Sequence, residues 1–177
     1  MKKGFTLIET MVTMAVFSIG MGILFTAIKL NEVYRSNVAV QMELYRMNKQ
    51  AHDTIASELK TSSLGQVNLS VPGQIRFKMP VESPTNYTIS WGAEGITDRE
   101  IRYNLSGVNL TRRIWNVTAG TEVSNRTIAS GFTNLTFTSG CSVSTNCITI
   151  ATNATKTNFI GYNITFGTQS MVALRNE

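Results

Sequence analysis

The chain is poor in the residues that metal sites and disulfide-rich scaffolds require. Its 177 residues include two cysteines and one histidine, His52. A structural zinc site needs four ligands, mostly Cys or His, so the sequence predicts no bound metal, and it predicts no other cofactor. A framework of several disulfides is excluded by the same count. Glu94, Asp98 and Glu100 could offer oxygen ligands to Ca²⁺, although their spacing matches no EF-hand loop.

Proline and charged residues are also scarce. Three prolines and 15% charged residues, beside 42% hydrophobic residues, exclude an intrinsically disordered chain. The length leaves room for one ordinary domain plus an appendage. The net charge is +5, and Lys2 and Lys3 contribute two of these charges. The remaining surplus is too small to indicate a nucleic-acid partner.

Motifs that carry catalysis are missing as well. The sequence contains no serine in a G-x-S-x-G context and no phosphate-binding glycine motif. His52 lies beside Asp53 in a helical pattern, with no nucleophile placed near it by spacing, and is predicted to be a surface residue. The sequence therefore predicts that the protein is not an enzyme.

Charge is absent altogether from one stretch near the N-terminus. Nineteen consecutive uncharged residues run from Thr10 to Ile28, which is the length needed to cross a hydrocarbon core as a helix. No small-residue cleavage site follows the run, so it is predicted to be a lasting anchor rather than a signal peptide. Lys2 and Lys3 predict that the short N-terminal side faces the cytoplasm and the remaining chain lies outside.

One acid, Glu9, lies just before this run, where a carboxylate costs about 2.5–3.5 kcal/mol on insertion scales. MKKG followed by FTLIE resembles the class III signal of type IV prepilins and pseudopilins. The resemblance implies a leader of residues 1–4, cleavage between Gly4 and Phe5 by the prepilin peptidase, and N-methylation of Phe5. It also implies an assembly ion pair between Glu9 and the Phe5 amine of a neighbouring subunit, which offsets the cost of the buried charge.

Beyond the anchor, apolar residues recur at three- and four-residue spacing with charged residues between them. The stripe consists of Val40, Leu44, Met47, Ala51, Ile55 and Leu59. The pattern predicts one helix from Phe5 to about Lys60, roughly 80 Å long at 1.5 Å per residue. Residues 5–30 would form the transmembrane or filament-core half, and residues 31–64 the amphipathic half that continues into a head. Gly20 and Gly22 would permit either local melting or close helix approach.

Residues 65–177 change to a strand-like pattern. Short runs rich in Ile, Val, Phe, Tyr and Thr alternate with Gly, Asn, Ser and Pro. The runs are QIRFKM, NYTISW, EIRYNL, VNLTRRIW, RTIAS, FTNLTFT, CITIA and FIGYNITF. They predict an antiparallel β-rich globular head, so the fold class is α+β and pilin-like. Ser106-Gly107 predicts a hairpin turn between two of the runs.

The head is similar, more loosely, to PilW-type minor pilins and to GspJ-type (J-type) minor pseudopilins. The similarity rests on an "I-x-Y-x-L … L-x-R" hairpin, a later "L-x-F" strand and the ending LRNE. The residues that fit are Ile101, Tyr103, Leu105, Leu110, Arg112, Leu135 and Phe137. Short length favours the secretion family, whereas the LRN ending favours the pilus family.

The resemblance implies a minor pilin, a structural subunit that primes assembly at or near the tip of a type IV pilus. One alternative is a J-type minor pseudopilin of a type II secretion system. Another is a DNA-uptake or adhesive tip subunit, with Arg99, Arg102, Arg112 and Arg113 as a basic face and Trp115 for stacking. The implied partners are other minor and major pilins or pseudopilins, the prepilin peptidase and the inner-membrane assembly platform. The implied location is the inner membrane, single-pass, with the head outside the cytoplasm.

The two cysteines, Cys141 and Cys147, close the segment GCSVSTNC. In an exported head that faces an oxidising space, such a pair predicts a local disulfide. Two free thiols are the alternative.

Overall fold

The computed structural model describes residues 6–82, 88–141 and 146–175. Within these ranges the chain forms one long α-helix followed by ten strands, all of whose ladders are antiparallel. The α+β fold class and the pilin-like order of a long N-terminal helix before a β head are confirmed.

The helix α1 spans Leu7–Leu59 without a break, so 53 residues rise about 80 Å. Thr6 begins it as N-cap, because its side chain accepts the backbone N–H of Glu9 at 3.3 Å. It ends at Lys60, whose N–H still bonds the carbonyl of Ala56 at 3.0 Å. Gly20 and Gly22 do not interrupt it, and a Cβ at either position would meet nothing within 4 Å.

The larger sheet has five strands in the order β1-β2-β5-β6-β7. The strands are β1 Val67–Asn68, β2 Gln74–Phe77, β5 Arg99–Ser106, β6 Asn109–Asn116 and β7 Thr121–Ser130. β5 and β6 form the predicted hairpin, with Ser106 paired to Asn109. The turn residues are therefore Gly107 and Val108, one position later than predicted, and Gly107 has φ of 62°, which suits the first position of a type II′ turn.

Two smaller sheets complete the head. One has the order β10-β9-β8, formed by β8 Phe132–Ser139, β9 Cys147–Thr157 and β10 Asn163–Ala173. The other is the hairpin of β3 Met79–Glu82 and β4 Ile89–Gly92.

The core lies between the second half of α1 and the two larger sheets. The predicted helical stripe faces it: Leu44, Ala51, Ile55 and Leu59 are fully buried, and Val40 and Met47 are partly buried. The sheets contribute Ile75, Phe77, Ile101, Tyr103, Leu110, Ile114, Phe132, Leu135, Ile148, Ile150, Ala154 and Val172. One apolar cluster thus joins helix and sheets, so the second half of α1 is part of the head's core.

The predicted strand FIGYNITF is wrong in its first half. Residues 158–162 form a turn, and β10 begins at Asn163 and continues to Ala173, well past the predicted end. The chain reverses because Gly161 adopts φ of 92° and Asn158 accepts the N–H groups of Ile160 and Tyr162. Strands β8, β9 and β10 therefore form an antiparallel meander.

Candidate functional site

The first half of α1 touches no part of the head. Every residue from Thr6 to Glu32 is exposed, including large apolar side chains such as Leu7 at 79% and Met14 at 74%. An 18-residue window of this helix has a mean hydropathy of 2.1 with none of it buried. By length and composition the segment can cross a membrane. An apolar surface this large is not stable in water, so it requires lipid or other protein around it.

The hydroxyl groups of the uncharged run, residues 10–28, are satisfied within the helix. The hydroxyls of Thr10, Thr13, Ser18 and Thr26 each donate to a backbone carbonyl three or four residues earlier, at 2.6–2.9 Å. Such bonds remove the cost of placing a hydroxyl in hydrocarbon. Despite its four hydroxyl-bearing residues, the run is therefore compatible with a lipid or helix-bundle interior.

Glu9 differs from these residues. Its carboxylate lies in the first turn of α1, where the helix dipole favours an acid by about 0.3–1 kcal/mol. Among residues 6–82, 88–141 and 146–175, no side chain pairs with it. The cleavage and methylation positions, Gly4 and Phe5, lie outside the described residues. Cleavage, N-methylation and the ion pair of Glu9 with a neighbour's Phe5 amine therefore stay predictions.

The second half of α1 is fixed to the head by a polar network that the sequence analysis missed. His52 is 6% exposed, so its prediction as a surface residue is wrong. Its Nε2 lies 2.8 Å from the Thr152 hydroxyl, and its Nδ1 contacts the Ser170 hydroxyl. Thr152 in turn donates to Oδ1 of Asn48 at 2.6 Å. Helix α1 is thereby bonded to both β9 and β10.

The hydrogen bonds identify Nε2 of His52 as a donor. Because the Thr152 hydroxyl gives its proton to Asn48, Nε2 of His52 must be the donor to Thr152. Nδ1 is then free to accept from Ser170. The Ser170 hydroxyl can donate to Nδ1 of the neutral imidazole or accept from Nδ1–H of the protonated one. Burial lowers the pKa of His52, and the nearby Asp53 carboxylate opposes that shift.

A second fixing point lies at the C-terminal end of α1. The Glu58 carboxylate accepts the Tyr103 hydroxyl at 2.8 Å and Nε of Arg112 at 2.9 Å. Tyr103 is fully buried, and burial together with the Glu58 charge raises its pKa. Tyr103 and Arg112 are two of the residues on which the similarity of the hairpin rests. In the structure both side chains bond Glu58 and so hold the C-terminal end of α1 against the sheet.

The arginines of the alternative basic face are paired with acids. Arg99 lies 3.8 Å from Glu94, and Arg113 lies 3.4 Å from Glu122. Arg102 bonds Glu100 and stacks over the Trp115 ring, with 4.1 Å to the ring centroid. Arg112 forms an ion pair with Glu58 at 2.9 Å. These compensated charges, with Trp115 covered by a guanidinium, do not make a free nucleic-acid surface.

The candidate Ca²⁺ ligands do not converge. Glu94 and Glu100 face arginines, and Asp98 accepts the Thr118 hydroxyl. Within the described part of the chain there is no group of three His, Cys, Asp or Glu side chains that could hold a metal ion.

Cys141 and Cys147 are joined by a disulfide, with their Cα atoms 6.0 Å apart. The predicted pairing is confirmed, and it joins a residue two positions after the end of β8 to the first residue of β9. At this end of the three-stranded sheet the backbone N–H of Gly140 also donates to the carbonyl of Cys147 at 2.9 Å.

The first 25 residues match the family model of the prokaryotic N-terminal methylation motif. No curated protein and no solved structure matches the chain. The motif supports a type IV pilin-like or pseudopilin protein, generally a structural rather than enzymatic class, which is processed by a prepilin peptidase and assembles with other pilins. The match ends at residue 25, so the similarity of the head to PilW-type and GspJ-type proteins rests on its sequence pattern alone.

Proposed function

We propose that this protein is a minor pilin, a structural subunit that primes filament assembly at or near the tip of a type IV pilus. The observation that carries the proposal is the union of a methylation motif with a half-helix whose apolar surface is wholly uncovered. A surface of this kind is suited to lipid before assembly and to a bundle of neighbouring helices afterwards. No chemistry is required of the head in this role, and four of its polar side chains, those of Tyr103, Arg112, Thr152 and Ser170, hold α1.

In this account the subunit is anchored in the inner membrane by residues 5–30, with its head outside the cytoplasm. The peptidase removes residues 1–4, and the new α-amino group at Phe5 is methylated. During assembly Glu9 of one subunit pairs with the Phe5 amine of a neighbour. Removing one partner of a buried ion pair costs about 3–5 kcal/mol, because the other charge is left without compensation.

The two fixing points explain how a head can direct a helix. The network at His52 lies near the middle of the docked half of α1, and Glu58 lies at its end. Two separated attachments define the direction of a rod better than one. The exposed half thus leaves the head at a fixed angle, which matching of helices in a filament requires. Because Glu9 needs the Phe5 amine of a neighbour, we place this subunit beneath the last subunit of the tip, with another subunit ahead of it.

A J-type minor pseudopilin of a type II secretion system is the second candidate. It is favoured by the β5–β6 hairpin, whose Tyr103 and Arg112 fit that family's pattern. A DNA-uptake or adhesive tip subunit is the third. The acids that face Arg99, Arg102, Arg112 and Arg113 disfavour its DNA-binding form.

The test is a gene deletion with quantitation of the protein in sheared filaments. We expect the deletion to reduce surface piliation sharply, the wild-type copy to restore it, and secretion of type II substrates to stay unchanged. In sheared filaments we expect far less of this protein than of the main filament subunit. Loss of secretion with normal piliation would favour the pseudopilin instead. An abundance equal to that of the main subunit would contradict a minor role.

A further inference from the structure

The turn between β9 and β10 presents large apolar side chains to solvent. Phe159 is 72% exposed, Tyr162 67% and Ile160 39%. We call residues Asn158–Tyr162 the hairpin tip. Three neighbouring apolar side chains on a five-residue turn are more than a soluble loop needs, so the hairpin tip is expected to have a partner.

The hairpin tip is a fixed structure. Asn158, only 5% exposed, accepts the N–H groups of Ile160 at 3.0 Å and Tyr162 at 2.8 Å. Its own amide nitrogen donates to Oδ1 of Asn37 on α1 at 2.7 Å. The backbone carbonyl of Tyr162 accepts the N–H of Asn158 at 2.9 Å. One buried side chain thus holds the apolar residues in place and ties them to the helix.

The position of the hairpin tip follows from the contacts of β9. Along this strand Thr152 bonds Asn48, then Lys156 bonds Glu43, and then Asn158 bonds Asn37. The strand therefore runs toward the N-terminal, membrane-crossing end of α1. The residues after Asn158 extend further in the same direction. Of these contacts between β9 and α1, the one at the hairpin tip lies nearest to the anchor.

The remaining distance to the bilayer is short. Tyr34, 69% exposed, lies almost one helical turn before Asn37 and hence on a neighbouring part of the same face. From Ile28, the end of the uncharged run, the helix rises about 9 Å to Tyr34 and about 14 Å to Asn37, the helix contact of the hairpin tip, at 1.5 Å per residue. The headgroup layer adds about 5–7 Å beyond the hydrocarbon on each side of a bilayer. The difference is about 2–4 Å at Tyr34 and about 7–9 Å at Asn37, and the turn residues beyond Asn158 with their aromatic side chains span the larger one.

We propose that the hairpin tip, together with Tyr34, docks into the headgroup region of the bilayer that holds α1, and so orients the head against the membrane before assembly. This rests on the membrane anchoring in the proposed function. Lipid is the favoured partner because the patch continues the lipid-covered segment along the same helix. Two of its members are tyrosines, whose amphipathic rings suit the membrane interface.

The test measures depth in the membrane. The full chain is reconstituted in vesicles of phosphatidylethanolamine and phosphatidylglycerol, and a nitroxide is attached at Phe159→Cys. Met171→Cys is the matched control, because Met171 lies on the same hairpin and is 61% exposed, yet is about 30 Å further along β10 at roughly 3.4 Å per residue. Phe17→Cys reports the span. Collision with a water-soluble nickel complex and with oxygen gives the depth of each label.

We expect several-fold lower nickel accessibility at Phe159 than at Met171, with oxygen accessibility raised at Phe159 and highest at Phe17. Adding Asn158→Ala to Phe159→Cys should reduce that difference, because the fixed tip is loosened. Water-like values at Phe159 with lipid-like values at Phe17 would overturn the interface and leave the anchor intact. Water-like values at Phe17 would overturn both. Protection of Phe159 that requires co-reconstituted pilin subunits would identify a protein partner instead and overturn lipid docking.

Discussion

The two halves of α1 have the same backbone and opposite surroundings. From Thr6 to Glu32 every side chain is exposed, whereas Leu44, Ala51, Ile55 and Leu59 are completely buried against the sheets. The first half uses apolar residues on all sides, and the second confines them to one stripe. A helix apolar all round needs an apolar environment, and one with a single stripe needs one partner.

The comparison also concerns charge. In the docked half, Glu58 is compensated within the chain by Arg112 and Tyr103. In the free half, Glu9 finds no side-chain partner in the part of the chain that the structure describes. The same type of side chain is thus paired within the subunit at one end of the helix and has no side-chain partner among the described residues at the other. We infer that the docked half serves folding and the free half serves assembly.

The largest expected effect on folding comes from the buried stripe. Ile55→Ala removes a fully buried side chain between helix and sheets, and such a change costs about 2–5 kcal/mol. Unfolding of the detergent-solubilised chain, followed by the fluorescence of Trp91 and Trp115, measures it. The matched control is Leu24→Ala in the free half, which is 58% exposed and should leave the unfolding free energy unchanged. An equal loss of unfolding free energy in Ile55→Ala and Leu24→Ala would contradict the inference that only the docked half of α1 serves folding.

Glu58→Ala should have the next largest effect. It removes the carboxylate that accepts from two side chains, Arg112 and the buried Tyr103, and hydrogen bonds to charged groups contribute about 1.5–3 kcal/mol. Glu43→Ala is the control, since Glu43 pairs with Lys156 where both side chains are about half exposed, and an exposed pair contributes about 0–1 kcal/mol. The same denaturation assay applies. If Glu43→Ala lowers the unfolding free energy as much as Glu58→Ala, the contacts of Glu58 do not have the special role in holding α1 that we assign to them.

A smaller effect is expected from pH. Burial lowers the pKa of His52 in the folded chain below the ordinary histidine value of about 6.5, so the unfolded chain binds the proton more readily. Stability is then complete above about 6.5 and falls as pH decreases from there toward the folded-state pKa. The measurement is the unfolding free energy of wild type and His52→Gln as a function of pH. If the two slopes below pH 6.5 are the same, His52 is not the titrating group.

Much of the fold could be predicted because its signals are local. The stripe from Val40 to Leu59 follows from helical period, and the β5–β6 hairpin follows from alternation around Ser106-Gly107. Strand β3 was missed because Pro80 disfavours a strand, yet β3 belongs to a two-stranded hairpin, where proline is tolerated. The continuation of β10 to Ala173 was missed because its residues alternate polar and small side chains.

The two fixing points of α1, at His52 and Glu58, could not be predicted because the residues that form them are far apart in sequence. A search for apolar periodicity finds Leu44 and Ala51. It does not find the polar residues Asn48 and His52, although they are buried on the same face of α1. Their partners Thr152 and Ser170 stand 100 or more positions away in sequence. Glu58 likewise meets Tyr103 and Arg112 only after the hairpin folds against the helix. A polar residue at the spacing of an apolar stripe was the one available hint.

The central claim is that Glu9 serves assembly rather than anchoring. The measurement compares wild type with Glu9→Val, expressed without the wild-type copy, in membrane fractions and in sheared filaments. Insertion should be unchanged or slightly better, since a costly charge leaves the apolar run. Filament incorporation should be lost, because the neighbour's Phe5 amine is left buried without a counter-ion. If the variant enters both membranes and filaments as wild type does, the ion-pair account of Glu9 is wrong.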